Sequence, residues 1–534
     1  MRHRVICQVA VVVGAGLLAS FPLLAADCGP TRYDCAVSYV AHHRLPEAIQ
    51  TLNEELRQSP QDLKALNLLG IALTESAQPE QANRKFRQAL AINPAFYPAR
   101  KNLAINEFNL NHLSEAEAQF ARVLKQAPGD EIVRIYLGEI SFQKNDYAGA
   151  LENYEKGAGR ITQSPAWTLH YAQCLVAQGE MARATATLKQ LPAKDSDDRF
   201  QAGLILGRAG AYPEAAAFFS SARKGYGNPY LAGYNQLLML TRAGKYPEAI
   251  QLFHQLVNEG QGKAELYNLV SEAYLKSGHL QEAYDSLRTA TRLEPAAEEN
   301  YVDLVALCLE NENYDLALDI LNVGTHYVPN SYRLYVQRGV ALVMRGHMEE
   351  AEKEFQTAST LAPDKSLPYV ALGEVWMQSG HTDKAVAVLR ERSKLAQNDF
   401  LVPFIFALAL IRSGAEAGSP EAAEAVAALE TSIGINPKFS HSHAELGRLL
   451  VKQGDLDRAI PELKIATELD PTDSGPFYQL GQAYRKQGKK TEADAMLARV
   501  AELHSQDHEM DLKKELKRMV KQDTSFSATE EKSQ

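Results

Sequence analysis

The sequence predicts an all-α chain, a solenoid of about 14 stacked helix-turn-helix units, and three observations carry that prediction. Alanine recurs in equivalent contexts at Ala48, Ala82, Ala116, Ala150, Ala184, Ala215, Ala249, Ala283, Ala317, Ala351, Ala385, Ala425, Ala459 and Ala493, with a spacing of 34 broken only by one gap of 31 and one of 40. A large apolar residue follows each alanine by four places, as in Leu52, Phe86, Phe120, Tyr154, Phe355 and Leu463. Finally, 534 residues that are 45% hydrophobic and 23% charged are too apolar for disorder and long enough to bury large cores.

Each unit reads as two amphipathic helices joined by a short turn. In Ser440–Asp473, His443, Leu446, Gly447 and Leu450 share one face, Gly454 ends the first helix, and Ala459, Leu463 and Ala466 line the second. Glycine or alanine twelve places before the recurrent alanine permits close approach of the two backbones, and the large residue fills the space beside them. Proline twelve places after it, as at Pro60, Pro94, Pro295 and Pro471, stops the second helix.

Fourteen such units in phase resemble the tetratricopeptide repeat (TPR) family. Its pattern is matched within Ala264–Ala297 by Tyr267, Val270, Ser271, Tyr274, Ala283, Leu287, Ala290 and Pro295. The resemblance covers roughly Gly29 to Gln506 and implies a right-handed superhelix whose first helices line a concave groove. It also implies groove residues at positions 5 and 9 of each unit. On that basis the candidate partner-binding residues are Tyr33, Asn67, Lys101, Ile135, Phe200, Leu204, Tyr234, Leu238, Asn268, Val336, Val340, Phe404 and Tyr478. The column is mostly apolar, and an apolar groove holds an extended peptide or an amphipathic helix through several small anchors. The family's clamp for acidic tails is incomplete, because Lys101 is followed by Ile105 where asparagine is needed.

Residues 1–26 read as a signal peptide, with Arg2 and Arg4 ahead of an apolar run from Val5 to Leu24 and small residues Ala25 and Ala26 after it. An uncleaved membrane anchor is the alternative reading, and either one places the body of the chain outside the cytoplasm, periplasmic or secreted. Repeats then fill 29–195 (about five), 196–405, and 406–507 with an insertion near 413–421. Residues 508–522 read as a capping helix and 523–534 as a disordered tail. The short fifth unit makes Leu191–Asp198 the expected seam. In an oxidising compartment Cys28 and Cys35 are a candidate disulfide, while Cys174 and Cys308 read as buried apolar residues.

Catalytic patterns are missing. No His-Glu-x-x-His, nucleophile elbow, phosphate loop or dinucleotide fingerprint occurs, and the pairs His42/His43 and His441/His443 lack further ligands. No catalytic residues, metal or cofactor are therefore assigned. A net charge of −10 gives nucleic acid no electrostatic pull. The functional expectation is a non-catalytic scaffold that binds protein segments and assembles or holds an envelope complex. Two alternatives are a structural component of a polysaccharide or protein export machinery and, least favoured, an enzyme.

Overall fold

The structure is a computed structural model that describes residues 30–192, 194–395 and 398–503. The expected signal peptide, Cys28, the capping helix and the tail lie outside the described residues. Among the described residues there are 29 helices and no strands, with 79% of those residues in helix, so the all-α expectation is met. Twenty-eight of these are α-helices, and they pair in sequence into fourteen hairpins, each with a first helix A and a second helix B. Two compact units divide at Ile205/Leu206, inside helix Ser196–Arg208. Within each, most helices pack on the next one along, and many helices A of neighbouring hairpins also touch.

The hairpin geometry follows from single residues. A Cβ added to Gly70 would lie 2.3 Å from the ring of Phe86, and one at Gly339 would lie 2.5 Å from the ring of Phe355. The glycine thus faces the large residue of helix B itself. The large residue therefore fills the close approach itself, and not the space beside it as the spacing predicts. Fully buried Ala82 and Ala351 complete the contact. Between helices A and B one residue must turn back through the left-handed region. Glycine does this in nine hairpins, for example Gly346 and Gly454, but His43, Ala77, Asn111, Asn145 and Glu312 take the same conformation at φ of 55–63°. Helix A of several repeats starts on a side-chain cap donated by the preceding turn: Asp62 accepts from Lys64 and Ala65 amides, Asp130 from Val133, and Ser331 from Leu334.

Repeats that depart from the pattern in sequence depart in structure. In the fourth, helix Tyr147–Lys156 ends at Gly157 and continues as a 3-10 helix over Ala158–Gln163. Gly157 lies so close to the Glu131 carbonyl that a Cβ would sit 2.7 Å from it. In the fifth, the three missing residues leave helix B only 8 residues long, Met181–Leu188. The turn after it is held by Arg199, whose guanidinium donates to the Leu191 and Pro192 carbonyls at 2.9 and 3.1 Å. The six extra residues of the twelfth repeat form a turn with Gly414 and Gly418 in the left-handed region, and Ser419 caps helix Pro420–Ile435. Ala415 within this turn is buried, so the insertion is partly packed down. No described helix is long and apolar enough to cross a membrane.

Candidate functional site

The register that the sequence assigns to the groove divides into two kinds of environment. In repeats one to three, Tyr33, Val37, Asn67, Ile71, Lys101 and Ile105 are all half-buried. From the fourth repeat onward most of the register is closed: Ile135, Phe200, Leu204, Tyr234, Leu238, Val336, Val340 and Phe404 are buried, none more than 6% exposed. These eight present little free surface, unlike the half-buried residues of repeats one to three. Their burial has local causes. Ile135 lies under the break at Gly157. Phe404 packs edge-on against Phe439 at 5.0 Å between ring centres, and the Gln337 amide reaches the Val302 carbonyl at 3.0 Å across two neighbouring helices A. Asn268 is half-buried and bonded to Asn300, while Tyr478 in the last repeat is 46% exposed.

Polar residues of the half-buried stretch are tied into pairs. Asn102 donates to Asn67 at 3.0 Å, linking repeats two and three. Lys101 holds the Asp130 carboxylate with its ammonium at 2.7 and 2.9 Å, and the Tyr97 hydroxyl reaches the same carboxylate. Burial pulls the Lys101 ammonium below the usual lysine range and pushes the Asp130 carboxyl up, so the pair has lost part of its hydration. Lys101 is therefore engaged within the wall, and Val37, Ile71 and Ile105 supply the apolar part of this surface.

Two acids are set into the wall, Glu139 at the ninth place of its repeat and Glu107, which the groove register does not include. Glu107, 3% exposed, occupies the eleventh place of its repeat, where the family pattern has tyrosine. It accepts from Asn83 at 3.1 Å and Arg87 at 2.5 Å in the preceding helix B and faces His112 Nδ1 at 2.8 Å. Glu139, 5% exposed, accepts from the Tyr154 hydroxyl at 2.6 Å and faces His170 Nδ1 at 2.9 Å. Both carboxylates join neighbouring helices as packed structural pieces. The readable signal was a charged residue on an otherwise apolar face, with polar partners on the adjacent helices or turn.

The hydrogen bond to Glu107 raises the His112 pKa above 6.5. A group bound more tightly when protonated stabilises the fold fully below its unfolded value and loses that contribution as pH rises through the folded value. The melting temperature of the wild type should therefore exceed that of His112→Gln near about pH 6, and the two should converge toward about pH 9. A difference that is constant across the series would contradict the pairing.

His443, Cys174 and Cys308 behave as packing residues. His443 is 4% exposed, with one ring nitrogen on Glu462 at 2.6 Å and the other on the Pro437 carbonyl at 3.1 Å. Burial pushes the Cys174 thiol up to about 12 and that of Cys308 up to about 11, so neither is poised as a nucleophile. Among the described residues no group of three or more His, Cys, Asp or Glu is placed to hold a metal ion.

Comparison with known proteins agrees with the hairpin geometry. Residues 73–135, 141–204, 264–296 and 477–507 match families described as "Tetratricopeptide repeat", and 447–488 match "TPR repeat". The chain thus carries tetratricopeptide repeats, modules that typically serve as non-catalytic protein-binding scaffolds. The peroxisomal targeting signal receptor of Kluyveromyces lactis is 33% identical over 78 residues, 15% of this chain and 14% of the receptor. Anaphase-promoting complex subunit 3 of Schizosaccharomyces pombe is 22% identical over 152 residues, 28% of this chain and 23% of that subunit. Against those relatives the chain spans less than a quarter of their length. The crystal structure of yeast Tom70 aligns with 80% of this chain and 95% of its own at 16% identity and a TM-score of 0.38.

Proposed function

We propose that this protein is a non-catalytic scaffold outside the cytoplasm that holds peptide or amphipathic helical segments of other proteins against the first helices of repeats one to three, and so assembles or holds an envelope complex. The observation that carries this reading is the half-buried apolar row Val37, Ile71 and Ile105, flanked by Tyr33 and Asn67, in the part of the register that stays open. Side chains of this kind offer a partner apolar contact without first unpacking a core. The export reading rests on the charged, apolar and small-residue pattern of residues 1–26. N-terminal sequencing of the exported protein should begin at Asp27, and an intact N-terminus in a soluble cytoplasmic fraction would overturn export.

The binding assignment is tested by pull-down from envelope extract with the wild type and with Ile71→Ser/Ile105→Ser, circular dichroism confirming equal helix content. Loss of specific partners from the variant supports the site. Identical partners and affinities would sink it.

A further inference from the structure

Resting on that reading of the groove, we infer that Glu75 is its charge anchor and that the bound segment carries a lysine or arginine set among apolar residues. Glu75 is the last residue of helix Leu63–Glu75 and stands one turn beyond Ile71, on the same face of the helix. A carboxylate at that end of a helix meets the negative pole of the helix dipole. One of its oxygens, Oε2, is shut off from solvent and has no hydrogen-bond partner. The nearest basic group is His43 Nδ1, at 3.8 Å, on a ring that is 85% exposed. The Glu75 side chain itself keeps 23% of its exposure, so part of it faces outward while Oε2 stays covered. Burial raises the Glu75 carboxyl above the usual range, and the His43 charge offsets only part of that.

This is a local arrangement that folding alone disfavours. An acid is poorly hydrated, lies at the wrong end of a dipole, and lacks the donors that Glu107 and Glu139 have. Val37 and Ile105 occupy in the flanking repeats the place that Ile71 holds here, so an apolar row runs beside this weakly paired carboxylate. A partner segment with apolar side chains over Val37, Ile71 and Ile105 brings a cation beside the outward-facing part of Glu75. Charge complementarity therefore selects a basic and apolar peptide over an acidic one.

The probe is a random dodecapeptide library displayed on phage and panned on the full chain, the selected peptides then being synthesised with a fluorescent label for anisotropy titration. The expected result is a basic residue flanked by apolar ones in the selected sequences. Glu75→Gln should weaken such a peptide by about tenfold, and replacing the peptide's basic residue by norleucine should weaken it equally, the two changes together adding little. His43→Gln should leave the affinity within about twofold, because the partner's cation and not His43 meets the carboxylate. Selected peptides lacking a basic residue, or an unchanged affinity for Glu75→Gln alongside a loss for Ile71→Ser, would overturn the anchor and leave the groove standing. Unchanged affinity for Ile71→Ser as well, or no selected peptide at all, would overturn the groove reading too.

Discussion

Replacing Gly70 by alanine should destabilise the N-terminal unit by about 1–3 kcal/mol, with the larger end of the range favoured by rigid neighbours. The sign is the informative part. In an exposed helix the same change stabilises by about 0.5–1 kcal/mol, because glycine loses more backbone freedom on folding than alanine does. At Gly70 the added Cβ would lie 2.3, 2.6 and 2.7 Å from three ring carbons of Phe86, a side chain that is 1% exposed and has nowhere to go. Gly481, the equivalent residue of the last repeat, provides the contrast. There the nearest atom is a Leu497 side-chain carbon at 3.3 Å, so a shift of a few tenths of an ångström accommodates the methyl. Urea denaturation should show a clear loss for Gly70→Ala and little or no loss for Gly481→Ala. Phe86→Leu in the Gly70→Ala background should recover part of the loss. Equal effects at both glycines would mean that the close approach of helices A and B does not shape the hairpin.

Tyr154→Phe is expected to cost about 1.5–3 kcal/mol, the range for a hydrogen bond to a charged group. The phenol is fully buried and donates to Glu139 at 2.6 Å, and removing one oxygen atom leaves the ring packing in place. The carboxylate would then keep only His170, a residue with a third of its side chain exposed. Removing both polar groups is a milder change than removing one, since no buried charge is left short of a partner. Glu139→Leu combined with Tyr154→Phe should therefore be less destabilised than the sum of the single variants, measured as a double-mutant cycle by chemical denaturation. Strict additivity would show that the two residues do not act as one unit.

Much of the architecture was legible because it repeats. The phase of the alanines placed helix Ser440–Gln453, the turn at Gly454 and helix Leu456–Leu469 within a residue or two, since each hairpin satisfies the same local rules. The short helix Met181–Leu188 likewise follows from three missing residues. What the sequence could not show is which register positions stay open. Whether a side chain at the fifth place is half-buried, like Tyr33, or closed, like Val336, depends on how neighbouring first helices stack, and that is tertiary packing without a local signature. Lys101 illustrates a second limit: read along the chain it is a basic groove residue, but its partner Asp130 is the cap of the next repeat. Glu75 was overlooked for a related reason, because an acid near a helix end resembles any solvated charge until its surroundings are known.

Binding through the first helices of repeats one to three is the core of the proposed function. Photo-crosslinking tests it most directly, with a benzophenone amino acid placed singly at Tyr33 or Ile71 and, for comparison, at Tyr327 or Leu293, which are 52% and 49% exposed on second helices elsewhere. Specific crosslinked partners in envelope extract are expected from positions 33 and 71 and none from 327 and 293. Crosslinks that appear from the second pair and not from the first would contradict it.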